Sequence, residues 1–444
     1  ASPGAGIVGA TMQFHATADR YALNGATAIA TLYSNAATAT TNPAVTWRSV
    51  GTNGGRAAAF VYDLAKSVIY TRQGNPAAAG TETDSSSPIR PDDLFFPNYV
   101  NLDKVAIPQA DQHQRLLANL VTRMNLAHKP LPRFWYLPNG IKAAIVHTLD
   151  DHNTAQGTVA TFDKFLAASA TGCSVADWTC PRATSWMYTG AALTPTQAIA
   201  YNAQGFELGV HTQNGCTDFA SLAQLSDTYT TQLAQFATTW PGLPAQRTSR
   251  YHCIVWSDWA SQAKAQLAHG IRYSMDYYYW PGSWVLGRPG VFTGSGLPMR
   301  FADLDGSVID VYQGVSQLVN ENDLAYPAAT STLLARALGS EGYYGLFGTH
   351  DDYRDTAFSD GVLSAAAAHG VPVISAQQAL TWLDGRNAST FSAFAWNGTT
   401  LNFAIGADTG AHNLQAMLPS NSATHALSAI TRGGVAVPFT TQTI

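Results

Sequence analysis

The sequence predicts an α/β protein, with a barrel or parallel sheet between an N-terminal α/β accessory domain and a small C-terminal β domain. Three observations support this fold class. Short apolar segments alternate with helical segments from about residue 140 to 385, which is the pattern of βα units. One apolar segment, residues 143–152, ends in two carboxylates and an imidazole, and parallel folds place their chemistry at such strand ends. The alternative is that Asp150 or Asp151 caps a following helix. Residues 390–444 show short alternating segments with Asn-Gly and Gly-Gly turns.

The length and charge of the chain limit its organisation and its partners. At 444 residues, we expect an N-terminal domain over 1–136, a central domain over 137–385 and a β-sandwich-like domain over 386–444. The net charge of −5 provides no basic face for nucleic acid. We expect no transmembrane segment, since no run of about 18 apolar residues occurs.

The N-terminal part reads as short strands and two helices. The second helix is amphipathic, and the first begins near Asp63. We assign no chemistry to this part. The predicted strands are 11–17, 26–33 and 55–62, and the amphipathic helix is 109–127, with Leu116, Leu117, Leu120, Val121 and Met124 on one face.

The central part alternates strands and helices. One helix is followed by Gly370, a residue typical of the end of a helix. The predicted strands include 141–148, 206–211, 271–275 and 343–349, and the predicted helices include 194–203, 222–238, 258–268 and 360–368.

Four cysteines indicate the compartment. Cys173 and Cys180 are close enough in sequence for a local disulfide, and a Cys216–Cys253 bond would tie together two loops that each carry a histidine. Four cysteines allow three connectivities, and four reduced buried thiols are the alternative. The even count, with few lysines, favours disulfides and a secreted or extracytoplasmic protein.

Four short motifs occur in order along the central part. The first motif is Thr-Leu-Asp-Asp-His at residues 148–152, and the second is Gly-Phe-Glu-Leu-Gly-Val-His-Thr at 205–212. The third is Arg-Tyr-His-Cys at 250–253, and the fourth is Leu-Phe-Gly-Thr-His at 346–350. This ordered set resembles the polysaccharide deacetylases with a NodB-homology domain, carbohydrate esterase family 4. The resemblance covers roughly residues 140–380 and implies a distorted (β/α) barrel of NodB type.

The resemblance implies a role for each matching residue. Asp150 would be the general base, Arg250 would orient it, and His350 would be the general acid. Asp151 and His211 would hold a divalent metal, which we expect to be zinc. The implied reaction removes N- or O-linked acetyl groups from an acetylated extracellular polysaccharide. General chemistry agrees, because a metal lowers the pKa of water to about 7 and a positioned acid and base complete the hydrolysis.

The second motif departs from the family pattern. Gly215 stands where the family has a second metal histidine. Because a catalytic zinc site uses three protein ligands, the third must come from elsewhere. We choose His252, which follows the arginine of the third motif by two residues. His152 is the close alternative, and Asn214 and Asp218 are weaker ones.

An aromatic segment follows the strand predicted at 271–275. Tyr278, Trp280 and Trp284 are candidates for binding substrate, because aromatic rings stack on sugar rings. Packing inside the protein is the alternative for all three. We expect Asp276 to be structural, and Asp351, Asp352 and Asp355 to be solvated loop acids.

Two other functions remain open at this point. A glycoside hydrolase with a carboxylate pair would need a second acid at the site, such as Asp276 or Glu207. A glycan-binding protein with a decayed site would be consistent with Gly215. The first rival predicts activity that survives chelators, and the second predicts glycan binding without acetate release.

Overall fold

The computed structural model describes residues 3–126, 128–155, 157–280, 282–285, 287–322, 324–339, 341–352 and 356–444. The chain forms two compact units. One comprises Ala1–Thr71, Gln109–Gly140 and Asp384–Ile444, and the other comprises Arg72–Pro108 and Ile141–Leu383. The domain boundaries given above stay a prediction.

The described residues form nineteen strands, which are β1 (Thr27–Tyr33), β2 (Ala39–Val50), β3 (Gly55–Phe60), β4 (Arg133–Phe134), β5 (Ala143–Val146), β6 (Thr148–Asp151), β7 (Thr184–Met187), β8 (Glu207–Val210), β9 (Thr248–Ser249), β10 (Tyr273–Tyr277), β11 (Met299–Ala302), β12 (Val308–Val319), β13 (Gly345–His350), β14 (Val373–Ile374), β15 (Thr390–Trp396), β16 (Leu401–Gly406), β17 (Ala416–Met417), β18 (Thr431–Arg432) and β19 (Val435–Ala436).

The same residues form nine α-helices, which are α1 (Leu64–Gln73), α2 (Gln109–Asn125), α3 (Gly157–Ala167), α4 (Pro195–Ala203), α5 (Leu222–Thr239), α6 (Ser261–Ala268), α7 (Ala328–Leu338), α8 (Thr356–His369) and α9 (Ala376–Ala388). Each central strand and helix named from the sequence overlaps one of these elements.

Two N-terminal expectations were wrong. No strand forms at residues 11–17, because side chains take up its backbone donors: the N–H of Gln13 donates to Gln109 Oε1 at 2.6 Å, and that of His15 donates to Ser67 Oγ at 3.0 Å. The apolar face of α2 is also narrower than predicted, since Leu117 is 43% exposed. Residue 127 of that predicted helix lies outside the described residues.

The larger unit contains a curled parallel sheet. Its hydrogen-bonded order is β14–β5–β13–β12–β10–β9, with β11 antiparallel on β12, and a second parallel sheet has the order β6–β7–β8. A parallel bridge between Leu149 and Asp351 joins the two sheets at β6 and β13. Beside β9, the Gln246 side chain hydrogen-bonds the backbone N–H of Val210 at 2.7 Å and its carbonyl at 3.3 Å. The strands therefore curve as in a distorted barrel.

The core of this unit lies between the strands and the surrounding helices. Ile145 and Phe347, on paired strands, are fully buried and belong to one apolar cluster with Phe162 of α3, Leu333 of α7 and Val362 of α8. Each such side chain contributes about 1.5–3 kcal/mol when it is buried. This packing fixes the strands, and hence the positions of the side chains at their ends.

The smaller unit contains the antiparallel sheet β1–β2–β3. Leu32, Val45, Tyr62, Leu116 and Leu120 form its buried apolar cluster. In the C-terminal segment, β15 pairs with β16, β18 pairs with β19, and β17 pairs with β4. The strands of that segment therefore occur in two-stranded antiparallel pairs, and irregular chain joins them.

The structure contains two disulfides, Cys173–Cys180 and Cys216–Cys253. They confirm the pairing considered from the sequence and exclude the alternative of four reduced thiols. They are compatible with an extracellular protein. In the described part of the chain, no helix is both long enough and apolar enough to cross a membrane.

Candidate active site

The four sequence motifs meet at the carboxyl ends of the parallel strands. Asp150 lies in β6, His211 directly follows β8, Arg250 directly follows β9, and His350 ends β13. Because parallel strands present their carboxyl ends at one edge, residues far apart in sequence share one site.

Asp150 is the centre of this site and is 2% exposed. Its Oδ1 lies 3.1 Å from Nη1 of Arg250, and its Oδ2 lies 3.0 Å from Nε2 of His350. Nε2 of His211 lies 3.7 Å from Oδ2. One carboxylate is thus oriented by a cation on one oxygen and contacted by imidazoles at the other.

Arg250 is fully buried and held in one orientation. Its Nη2 donates to Thr148 Oγ1 at 2.6 Å, to the carbonyl of Thr349 at 2.7 Å and to Ser316 Oγ at 3.0 Å. The guanidinium also lies 5.0 Å from the centre of the Trp186 ring. Because its donors are engaged on three strands, it orients Asp150 as a rigid fork rather than as a mobile charge.

Burial and charge act in opposite directions on the pKa of Asp150. Burial raises the pKa, but the charge of Arg250, helped by the contacts of His211 and His350, outweighs it, so the pKa lies well below its usual value. Asp150 is therefore ionised at neutral pH and able to accept a proton or a cation.

Three histidines form a cluster beside Asp150. The nitrogen ligand atoms of His152, His211 and His252 all lie within 4.8 Å of one another. Nε2 of His211 is buried and has no hydrogen-bond partner among the described residues. Three imidazoles, one of which has a buried nitrogen without a hydrogen-bond partner, fit a divalent metal such as zinc.

The surroundings of the histidines also suit metal binding. Nδ1 of His152 lies 2.8 Å from Oδ1 of Asp352, and Nδ1 of His211 lies 3.1 Å from the carbonyl oxygen of Arg250. Such contacts fix the tautomer of a metal-binding histidine and leave its other nitrogen to coordinate. Burial lowers the pKa of His211 to about 3 and that of His252 to about 4, so both are neutral at pH 7.

A second group of metal-binding residue types, Cys216, His252 and Cys253, lies close by. The two sulfur atoms are bonded to each other, so neither is a thiolate ligand. The disulfide instead joins the loop after β8 to the loop after β9, which holds His252 near His211.

Asp151 does not lie with the three histidines, in contrast to its expected role as a metal ligand. Its Oδ1 accepts from the N–H of Thr154 at 2.9 Å, and its Oδ2 accepts from the N–H and hydroxyl of Thr158, at 3.2 and 2.6 Å. The physical reason is the strand geometry, since consecutive residues of β6 point to opposite faces. Asp151 thus binds the first turn of α3, while His152 lies on the same side as Asp150.

The three expected substrate-binding aromatics are in different environments. The ring of Tyr278 lies 4.8 Å from that of His350. Trp280 is half-buried beside a small apolar cluster that includes Ile254. Trp284 is 7% exposed and packs edge-on against Phe292 at 6.0 Å. Trp284 is therefore a packing residue, and Tyr278 is the one at the site.

The two acids considered as partners of a carboxylate pair are engaged elsewhere. Asp276 accepts from the N–H of Tyr251 at 2.6 Å and from Ser274 Oγ at 2.9 Å, in the structural role expected for it. Glu207 accepts from the hydroxyls of Thr184 and Thr248, at 2.6 and 2.7 Å. Neither carboxylate is paired with Asp150.

Sequence reasoning missed two residues of the site. Asp352, expected to be solvated, is buried and pairs with His152, and Asp351 is also buried. Asp355 lies outside the described residues. The ring of Tyr188 stacks on that of His211 with centroids 5.6 Å apart. The sequence alone contains no signal for the Asp352 contact, because that contact depends on the adjacency of β6 and β13 in the fold.

Comparison with known proteins gives distant structural neighbours. No family model and no curated protein matches the chain. Seven solved chains match, among them the polysaccharide deacetylase Bc1974 from Bacillus cereus, with a TM-score of 0.29 and 10% identity over 52% of this chain and 91% of that one. Another is a mutant of BA3943, a CE4 family pseudoenzyme with restored enzymatic activity. It has a TM-score of 0.28 and 10% identity over 55% of this chain and 68% of that one. Agd3, a novel carbohydrate deacetylase, has a TM-score of 0.34 and 11% identity over 84% of this chain and 66% of that one.

Proposed function

We propose that the protein is a metal-dependent hydrolase that removes N- or O-linked acetyl groups from an extracellular polysaccharide. The observation that carries this proposal is the position of Asp150, which Arg250 orients and His350 contacts, beside a cluster of three histidines. A base, an acid and a metal-binding group within one site are the components that hydrolysis of an acyl bond requires.

The proposed metal ligands are His152, His211 and His252, with zinc as the expected ion. This set replaces Asp151 by His152, because Asp151 is engaged with Thr158. When bound, the ion supplies Lewis-acid polarisation of the acyl oxygen and acidifies water.

The residues of the chain then divide the proton transfers. Asp150 accepts the proton of the attacking water on Oδ2, because Arg250 holds the other oxygen. His350, 3.0 Å from Oδ2, delivers a proton to the leaving amine or alcohol. The low pKa of Asp150 makes it a weak base, so the water must be acidified before Asp150 can take its proton.

No specific contact favours the glycoside hydrolase alternative, because Asp276 and Glu207 use their oxygens in other hydrogen bonds. The proposed extracellular location is supported by the two disulfides, which persist in oxidising compartments.

Metal analysis combined with acetate release tests the proposal. We expect purified protein to contain about one divalent ion per chain, and a chelator to remove both the ion and acetate release from acetylated polysaccharides. Zinc should restore the activity. Acetate release that persists in metal-free protein would refute the proposal, and glycan binding by a metal-free protein without acetate release would favour the decayed site.

A further inference from the structure

A cavity of about 210 Å³ adjoins His211, and most of its lining residues have no part in the chemistry proposed above. Its polar lining includes Asn153, Tyr188, Gln213, Gln232 and Gln235. One sugar ring with its hydroxyl groups is of this size.

The lining of the cavity is polar but uncharged. Among the described residues that line it, none is an aspartate, glutamate, lysine or arginine. Amide side chains each offer donors and acceptors, which match sugar hydroxyl and acetamido groups. A charged sugar would lose hydration here without gaining a counter-ion.

Part of the lining is held rigidly before any ligand binds. Oε1 of Gln232 accepts from the N–H of Gln213 at 3.0 Å, and its Nε2 donates to the carbonyl of Gln213 at 2.6 Å. Oε1 of Gln213 in turn accepts from the N–H of Gly215 at 2.9 Å. Gln235 lies one turn after Gln232 on α5, on the same helix face, and its side chain is exposed. A rigid wall with one adjustable amide is suited to selective binding.

We infer that this cavity is a binding subsite for an uncharged sugar residue next to the acetylated one. The inference rests on the proposed function, because the cavity shares His211 with the proposed metal centre. The substrate would then be a glycan of at least two residues, with a neutral hexose or N-acetylhexosamine rather than a uronic acid at this position.

Binding to chelator-treated protein tests the subsite separately from catalysis. The probes are a neutral N-acetylglucosamine trimer and a galacturonic acid trimer, measured by saturation-transfer NMR and calorimetry. We expect the neutral trimer to bind and the uronic trimer not to bind. Gln235→Ala should weaken neutral binding about five- to tenfold, as for one or two lost hydrogen bonds. Gln235→Glu should weaken it at least as much, and Gln204→Ala, an exposed glutamine outside the cavity, should not change it.

The outcomes distinguish the subsite from the proposed function. Equal binding of the two trimers, or equal affinity of Gln235→Ala and the unmodified protein, overturns the subsite. If Gln235→Ala weakens neutral binding but no acetylated glycan releases acetate from metal-loaded protein, the subsite stands and the deacetylase proposal fails. If both hold, kcat/KM for an acetylated neutral oligosaccharide should fall in Gln235→Ala relative to kcat/KM for p-nitrophenyl acetate.

Discussion

Nδ1 of His152 lies 2.8 Å from Oδ1 of Asp352, so a carboxylate behind the histidine cluster orients one of its rings. The two residues follow neighbouring strands, β6 and β13, which are joined by the bridge from Leu149 to Asp351. The pairing determines which nitrogen of His152 carries the proton and which one can coordinate an ion.

Asp352→Asn should therefore weaken zinc binding. Loss of such a carboxylate contact typically costs about 10–100-fold in metal affinity. Competition with a zinc-binding dye measures the change. Asp360→Asn removes a surface contact to Lys164 and is the matched control. Equal zinc affinity in Asp352→Asn and the unmodified protein would mean that His152 is not a ligand.

Substitution of the two adjacent aspartates of β6 should have different effects. Asp150→Asn should lower kcat by about 10²–10⁴-fold, because the base is lost. Asp151→Ala should keep bound metal and destabilise the protein by about 1–2 kcal/mol, because the first turn of α3 loses its acceptor. Metal content, kcat and thermal unfolding measure these effects. Loss of metal from Asp151→Ala would restore Asp151 to the ligand set.

Activity should depend on the planar geometry of the Arg250 guanidinium as well as on its charge. Arg250→Lys keeps the charge but cannot reach Asp150, Thr148 and Ser316 together, so kcat should fall by more than about tenfold. Arg250→Ala should also cost about 3–5 kcal/mol of stability, because it leaves the carboxylate of Asp150 buried without its cation. Arg288→Lys, at an exposed pair with Asp103, is the control for the exchange itself. Full activity in Arg250→Lys would remove its orienting role.

Asp92 should make stability depend on pH. Burial raises its pKa well above the usual value, and its Oδ1 has no hydrogen-bond partner in the described part of the chain. Because the folded-state pKa is raised, its stabilising contribution is full below the unfolded pKa of about 3.9 and is lost as the pH rises through the folded value.

Asp92→Asn should remove this pH-dependent loss of stability, because the amide does not ionise. Its oxygen can still accept from the N–H of Trp280. We expect Asp92→Asn to gain stability over the unmodified protein between pH 5 and pH 8, by at most about 1.4 kcal/mol per pH unit, until the folded-state pKa of Asp92 is reached. Urea unfolding at both values measures the difference, with exposed Asp103→Asn as the control. A constant difference across this range would show that Asp92 does not titrate there.

The sequence predicted which strands end at the site. It predicted only in part which side of each strand the residues of the site face. Apolar segments before Asp150, His211 and His350 sufficed to bring these residues together at one edge. The alternation of side chains along a strand could also have separated Asp150 from Asp151 and grouped Asp150 with His152. The Asp352 contact could not be derived in this way, because it depends on the pairing of β6 with β13, which lie about 200 residues apart.

The irregular N-terminal segment shows another limit. The alternating pattern of residues 11–17 is that of a strand, yet the segment makes no strand because Gln109 and Ser67 supply side-chain oxygens to its backbone. The local sequence pattern indicates which residues can form a strand, but it does not indicate whether a partner strand is present.

If the proposed metal centre forms, the Cys216–Cys253 bond should couple metal binding to oxidation of the chain. It fixes the loop of His252 beside that of His211, so the oxidised chain should bind the ion more tightly than the reduced one. By thermodynamic reciprocity, a bound ion then protects the bond against reducing agents by the same factor. A newly made chain would thus mature in either order, and each step would make the other harder to reverse.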